Sequence, residues 1–376
     1  MKVGACNKRH DVIKFATPAY IDRRQQTSVV RVLVRSVVFR SVEIKCTTQE
    51  LGINFDGDYV QMDIYAQGRV RNNSLPYHPY YINCRDTKPQ YHAKMTQITV
   101  QLHGTLPFKK HAVEHYAHQC TVPLVLTSDN SNPPDRMHVC VKPMHTSFFD
   151  FMLLILFLEF YKFAGVNKFL FYVHSTSDIV HSILEMYEEA RELRTIPAED
   201  LLTFNYASQF IQMNDCNLRL TGITQFVVHI DIDELLMPQF GQTGLEKHWL
   251  SNYMVEQAEL NPNAGGFQFS HVFAERHKVL QDYDKLRWLQ MKAKSRTRPL
   301  LPKLLDLYVD KFLARLRTVT NTTLLRSQVL VVHLRKGMEK QYNSHLTVRF
   351  MLTEDILTTV HNRTEQLKQR LSVDEI

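Results

Sequence analysis

One cluster of residues in the chain has an evident chemical use. In QFVVHIDIDELLMP, Gln225 to Pro238, a nearly continuous apolar run stops abruptly at Asp231, Asp233 and Glu234. The run reads as a buried strand. Residues two apart on a strand point the same way, with Cα atoms roughly 6.5–7 Å apart. Asp231 and Asp233 can therefore face one site if the strand persists or turns just beyond its end. Carboxylates are hard oxygen ligands, suited to Mg2+ or Mn2+. An ion held there would bridge a nucleotide diphosphate and neutralise the charge that grows on it as it leaves. The competing reading is that Asp-x-Asp-Glu simply caps a short helix. An EF-hand is excluded, because Leu235 and Leu236 stand where a ligand and a glycine are required.

A second constellation is HAVEH, His111 to His115, which fits the inverted zinc-peptidase pattern. On a helix, His111 and His115 would share a face, with Glu114 as base. Against it, the segment lies in a β-patterned region, and 18 histidines make chance matches easy. The patterns GxGxxG, GxxxxGK[ST] and GxSxG are absent. Dinucleotide oxidoreductases, P-loop enzymes and typical serine hydrolases lose support accordingly. Ten basic residues gather between Lys285 and Arg317, Arg296 and Arg298 among them, opposed only by Asp306 and Asp310. Aromatics are sparse there and no RNA-binding or zinc-finger signature accompanies them, so no nucleic-acid partner is expected. The patch is a solvated face or a clamp for a sugar-nucleotide diphosphate.

The elements that must position these residues follow from the patterning. At 376 residues, 44% hydrophobic and 22% charged, the chain is globular, with room for one large or two ordinary domains. A net charge of +7 favours anionic partners. Residues 1–135 alternate in β fashion and predict a β-rich module, sandwich-like or an extension of a later sheet. The boundary falls in the polar loop TSDNSNPPDR, Thr127 to Arg136. Residues 136–345 alternate apolar strands with helices, which predicts a parallel sheet covered on both faces. In such sheets ligands bind at the carboxyl ends of the strands, where the three acids fall. Residues 346–376 are expected to form a C-terminal helical tail. The most apolar stretch, Phe148 to Val166, has an uninterrupted core of Phe151 to Leu158, too short for a membrane span. It reads as a buried helix closed by Gly165. No apolar signal-peptide core opens the sequence, so any membrane anchor is expected to lie outside it. The six cysteines form no CxxC pair; disulfides in a secretory compartment and ordinary buried thiols both fit. Sequons begin at Asn72, Asn321 and Asn362.

Several motifs in order resemble glycosyltransferase family 92. They are Cys140 and Pro143 on a strand; Glu159 and Tyr161 on a helix; Gly165, Val166, Phe169 and Tyr172 in a turn and strand. Asn214, Asp215 and Cys216 follow on a helix, then Asp231, Asp233, Glu234 and Pro238. PAYIDRR, Pro18 to Arg24, resembles the opening of the family's N-terminal region. The resemblance implies a GT-A-like, Rossmann-type α/β domain, with a mostly parallel sheet and flanking helices, behind the β-rich module. It implies a Golgi-lumenal enzyme with a membrane anchor. Its chemistry would be transfer of a hexose, galactose from UDP-galactose, onto a glycan hydroxyl such as fucose of N-glycans. Mn2+ or Mg2+ would be the cofactor, with Asp231 and Asp233 as the metal and donor motif. The stretch from Arg296 to Thr323 diverges from the family pattern. VLVVHLRKG, Val329 to Gly337, restores it, and His333 is then either a third metal ligand or a core histidine. The divergence leaves a second function open, a catalytically inactive glycan-binding member of the same fold.

The expected reaction is an inverting displacement. Arg296, Arg298 or Arg335 would add positive charge beside the diphosphate, and a carboxylate would take the acceptor's proton. Glu275 is the chosen base, with Glu234 and Asp282 as rivals. Asp215 is expected to contact uridine or ribose, or else to support the helix it sits on. His229 is expected to be a hydrogen-bonded core histidine.

Overall fold

A computed structural model describes residues 12–371 apart from 17, 24–27, 38, 40, 49, 63–77, 86–88, 108–112, 129–131, 145–147, 199–205, 239–245, 276–288, 292–293, 296–311, 316–320, 336–347 and 351–353. The chain forms two compact units. One comprises 1–132 with 198–223, and the other 133–197 with 224–376.

The first unit holds strands β1 (Ile13–Phe15), β2 (Ala19–Asp22), β3 (Val29–Ser36), β4 (Ser41–Thr47), β5 (Asn54–Gln61), β6 (His78–Cys84), β7 (Gln97–Pro107) and β8 (Val113–Leu126), with a short helix α1 (Pro89–His92). They pair in the order β3-β2-β8-β7-β4-β5-β6, and β6 pairs back onto β3. Seven strands thus close into a barrel, and β1 runs beside β3. Closure leaves no unpaired edge to template aggregation. Neither a sandwich nor an extension of the later sheet forms. The pairings that close the ring, β2 parallel to β8 and β3 antiparallel to β6, join segments far apart in sequence. Alternation within a strand carries no record of them. Ile44 and Cys46 point inward while Glu43 and Lys45 face solvent. Inside the barrel, Cys46 and Cys84 form a disulfide with Cα atoms 5.9 Å apart. No described cysteine is free, so the disulfide reading of the cysteines holds over the buried-thiol one.

Helix α4 (Tyr206–Leu220) belongs to this unit although it lies 80 residues downstream of the barrel in sequence. Its Ile211 and Leu218 pack on Tyr20, Leu33 and Met62 on the barrel's outer wall. Polar contacts fix the register. The Tyr20 hydroxyl donates to Asp215 Oδ1, and Arg219 Nε donates to Asp215 Oδ2 at 2.6 Å. Beside them the Tyr81 hydroxyl donates to Asn214 Oδ1, and Arg31 pairs with Asp22 at 2.6 Å. The AYxD motif and the Asn-Asp-Cys motif, some 195 residues apart, are two halves of one contact.

The second unit contains β9 (Asp135–Met144), α2 (Phe151–Phe163), β10 (Lys168–Val173), α3 (Asp178–Glu189), β11 (Leu193–Pro197), β12 (Thr224–Ile230), β13 (Glu234–Pro238), α5 (Trp249–Leu260), β14 (Ala264–Glu275), β15 (Leu289–Met291), β16 (Lys294–Ser295), β17 (Phe312–Arg315), β18 (Asn321–Arg335), β19 (Val348–Phe350) and α6 (Glu354–Leu371). The main sheet runs β11-β10-β9-β12-β17-β14-β18-β13. It is α/β and, as expected, mostly parallel, with a minority of reversed strands. β11, β10, β9 and β12 are mutually parallel, as are β14 and β18, whereas β17 and β13 run against their neighbours. The reversal follows from the connection after β12, which is a tight turn and not a crossover helix.

Helix α2 is the buried helix of the apolar stretch. Asp150 caps it, accepting from the Leu153 amide, and every residue from Leu153 to Tyr161 is buried. Gly165 ends it at φ +101°, where a Cβ would collide with Ser251. No helix among the described residues is long and apolar enough to cross a membrane. Glu159, 4% exposed, accepts from the Tyr187 hydroxyl at 2.6 Å and pairs with Lys162 and Arg363. That carboxylate ties α2, α3 and α6 together. Ile356, Val360 and Leu367 of α6 complete the same core.

Two measurements check this architecture. Replacing Cys46 and Cys84 by alanine should cost about 2–4 kcal/mol, read as a lower denaturant midpoint, because the bond constrains the unfolded chain. Burial lowers the pKa of His138 more than Asp135, 2.9 Å away, raises it, so the folded ring is neutral. The unfolded ring takes a proton below about pH 6.5, so stability is lost as pH falls through that value. The Tm difference between pH 7 and pH 5 should therefore shrink in His138→Gln.

Candidate functional site at the carboxyl edge of the mixed sheet

Because β9, β12, β14 and β18 run in one direction, their carboxyl ends lie along one edge, and β13 begins there. Asp231, Ile232 and Asp233 form the turn from β12 into β13. The turn is closed from both sides. The Glu234 amide donates to the Asp231 carbonyl at 3.1 Å, and the Asp231 amide donates to Glu234 Oε2 at 3.0 Å. Glu234 is 1% exposed, so its carboxylate shapes the turn and is poorly placed to serve as a base. Asp231 and Asp233 remain partly exposed. The helix-capping reading of these acids fails, since a strand follows them.

β13 is an edge strand, and its free side is occupied by one buried hydroxyl. Tyr161 of α2 donates to the Glu234 carbonyl at 3.2 Å and accepts from the Leu236 amide at 3.0 Å. Burial pushes this phenol far above its ordinary pKa, so it keeps the proton it donates. The other side of β13 pairs with β18, where Glu234 is in register with His333. His333 is also in register with Phe273, and Arg335 with Glu275, at the ends of β18 and β14. Paired Cα atoms in such ladders are about 5 Å apart. The sheet thus brings the backbone of Glu275, His333 and Arg335 to the edge that carries Asp231 and Asp233.

The remaining candidates fall elsewhere. Arg296, Arg298 and Asp282 lie outside the described residues, as does His111. Asp215 sits in the first unit, 2% exposed, with both carboxylate oxygens taken by Tyr20 and Arg219. Each oxygen thus already accepts one hydrogen bond from within the first unit. His229 is buried on β12 and is partnered. His115 lies on β8, an extended strand, so the helical geometry that a zinc peptidase needs is absent there. Among the described residues no three His, Cys, Asp or Glu side chains converge on a metal position.

One neighbour escaped sequence reading. Lys142, on β9, places Nζ 3.1 Å from Asp231 Oδ1 and 3.2 Å from Oδ2. The signal was a lone lysine within the buried run MHVCVKP. The Asp231 carboxylate therefore already holds a cation across both oxygens, and Asp233 adds a second hard donor on the same turn. Both are carboxylates, the hard oxygen donors that Mg2+ and Mn2+ take.

Removing the Tyr161 hydroxyl should leave two buried backbone groups unpaired beside the acids. Tyr161→Phe should cost about 1–3 kcal/mol in urea unfolding.

The family model of glycosyltransferase family 92 matches residues 135–363, more than half of the chain. No curated protein matches the chain by sequence. Among solved structures, the chain is similar to glucosyl-3-phosphoglycerate synthase from Mycobacterium tuberculosis, in complex with Mn2+, UDP-glucose and phosphoglyceric acid. Identity is 11% over 64% of this chain and 82% of that one, at a TM-score of 0.27. It is also similar to TarS from S. aureus in complex with UDP-GlcNAc, at 10% identity over 64% and 68%, with a TM-score of 0.31. With Cys140, Glu159, Tyr161 and the Asp231–Pro238 segment all inside the matched region, the chain belongs to glycosyltransferase family 92.

Proposed function

We propose that the chain is a metal-dependent, inverting glycosyltransferase of GT-A type. It would move galactose from UDP-galactose onto a glycan hydroxyl, with fucose of N-glycans as the acceptor class. The observation that carries this reading is the Asp231–Asp233 turn. It presents two partly exposed carboxylates at the carboxyl edge of the sheet, with His333 in register one strand away.

When bound, Mn2+ or Mg2+ supplies Lewis-acid neutralisation of the departing diphosphate. Asp231 and Asp233 would hold it, with His333 as the candidate third ligand. The chain's own residues carry the rest. Glu234 and Tyr161 fix the turn so that the carboxylates need not reorganise during reaction. Glu275 takes the proton of the acceptor hydroxyl as its oxygen bonds to the anomeric carbon. The bond from that carbon to the diphosphate oxygen breaks, and its electron pair leaves with UDP. Arg335 adds positive charge at the same edge, and Arg296 and Arg298 are proposed to do likewise. The Cys46–Cys84 disulfide supports an oxidising compartment, and we assign the Golgi lumen.

UDP release from UDP-galactose with Mn2+ and a fucosylated N-glycan tests the reading. Wild type should turn over, EDTA should stop it and Mn2+ restore it. Asp231→Asn with Asp233→Asn should lose at least about 100-fold in kcat/KM. A folded wild type that binds glycan but releases no UDP from any donor would point instead to the inactive, glycan-binding alternative.

A further inference from the structure

Lys142 and Asp231 form an ion pair that joins the Cys140-x-x-Pro143 strand to the Asp231-x-Asp233 turn. We infer that Lys142 is a donor-binding residue that stands in for the cation when the site is empty and passes to the nucleotide diphosphate when it fills. This inference rests on the reading of Asp231 as a metal ligand.

The geometry is specific. β9 and β12 are parallel neighbours with Val141 opposite Ile230, so Lys142 and Asp231 are the next residues along each strand. Pro143 restricts Lys142 to extended backbone, which aims the side chain consistently. The pair is largely enclosed, with side-chain exposures of 16% for Lys142 and 28% for Asp231. Coulomb attraction there is less screened than at an open surface. The ammonium bridges both oxygens, leaving neither without positive charge close by.

A divalent cation binds carboxylate oxygens at about 2.0–2.6 Å. It cannot take that position while an ammonium bridges the same two oxygens, because the two positive charges repel at contact distance. Lys142 must therefore release Asp231 as the cation arrives. Its flexible four-carbon stem can carry the ammonium to a nearby anion, and the diphosphate is the anion that arrives with the cation. Two linked consequences follow. Without nucleotide, Lys142 competes with the metal. With nucleotide present, it has a new partner, so metal and nucleotide bind cooperatively, each raising the other's affinity. A lysine that merely stabilised the fold would produce neither effect.

The test is titration calorimetry of full-length protein with Mn2+, with and without UDP, comparing wild type with Lys142→Met, Lys142→Arg and Asp231→Asn. Lys142→Met should bind Mn2+ about tenfold more tightly in the absence of UDP, and should bind UDP about tenfold more weakly at saturating Mn2+, the scale of one charge-assisted contact. Lys142→Arg should retain the wild-type UDP affinity. Lys142→Gln should shift both affinities in the same directions as Lys142→Met, and replaces it should the apolar variant not fold. Unchanged or weaker Mn2+ binding in the neutral variants, with Asp231→Asn alone losing the metal, overturns the role of Lys142 and leaves the metal reading intact. Absence of Mn2+ binding in wild type and variants alike overturns both.

Discussion

Three residues separate β12 from β13, and much of the second unit is organised around that shortage of chain. Four residue steps from Ile230 to Glu234 reach at most about 14 Å. In the pairing order, β17, β14 and β18 stand between the two strands. In a flat sheet four strand spacings amount to about 19 Å, beyond that reach. The sheet must therefore curl until β13 returns above the end of β12. The register between β14 and β18 jumps from Phe269↔Leu325 to Ser270↔Leu330, the kind of irregularity that bends and twists a ladder. The turn that imposes the curl is the one that carries Asp231 and Asp233. The curl and the candidate site thus share the same four residues, and Glu234 is spent on closing the turn.

Tyr161 and Glu159 show how a helix buried on all sides takes part in this arrangement. Nine consecutive buried residues leave α2 no solvent face, and its polar groups must find partners inside. Tyr161 serves the edge of β13, and Glu159 gathers Tyr187, Lys162 and Arg363. The helix is thus anchored at one point to the candidate site and at another to the last helix of the chain.

The sequence was legible where patterns are local. The apolar stretch before Gly165 was read as a buried helix closed by that glycine, and the run into Asp231 as a strand, because periodicity and capping act within a few residues. The abrupt end of that run coincides with the turn from β12 into β13. Long-range pairing was not legible. Nothing in the alternation of residues 29–36 says that they bond to both 78–84 and 19–22, so closure of the barrel was missed. The reversal of β13 was not legible, because the three-residue turn after β12 gives no sign in sequence of which way the next strand runs. For Asp215 the sequence left donor contact and helix support open, and its bond to Tyr20, 195 residues away, could not be read from local pattern. Lys142 went unnoticed because a single lysine in a strand carries no periodic signal.

The helix α4 bears on where this protein can be cut. Its segment is interposed between β11 and β12 in sequence but covers the outer wall of the barrel. A truncation starting at Pro133 would keep every strand of the second sheet and still be handicapped. It would present Ile211 and Leu218 to water and leave the Asp215 carboxylate without the Tyr20 hydroxyl. A truncation ending at Asn132 would lack the cover for Tyr20 and Leu33. Neither half of the chain is therefore a self-sufficient piece of sequence.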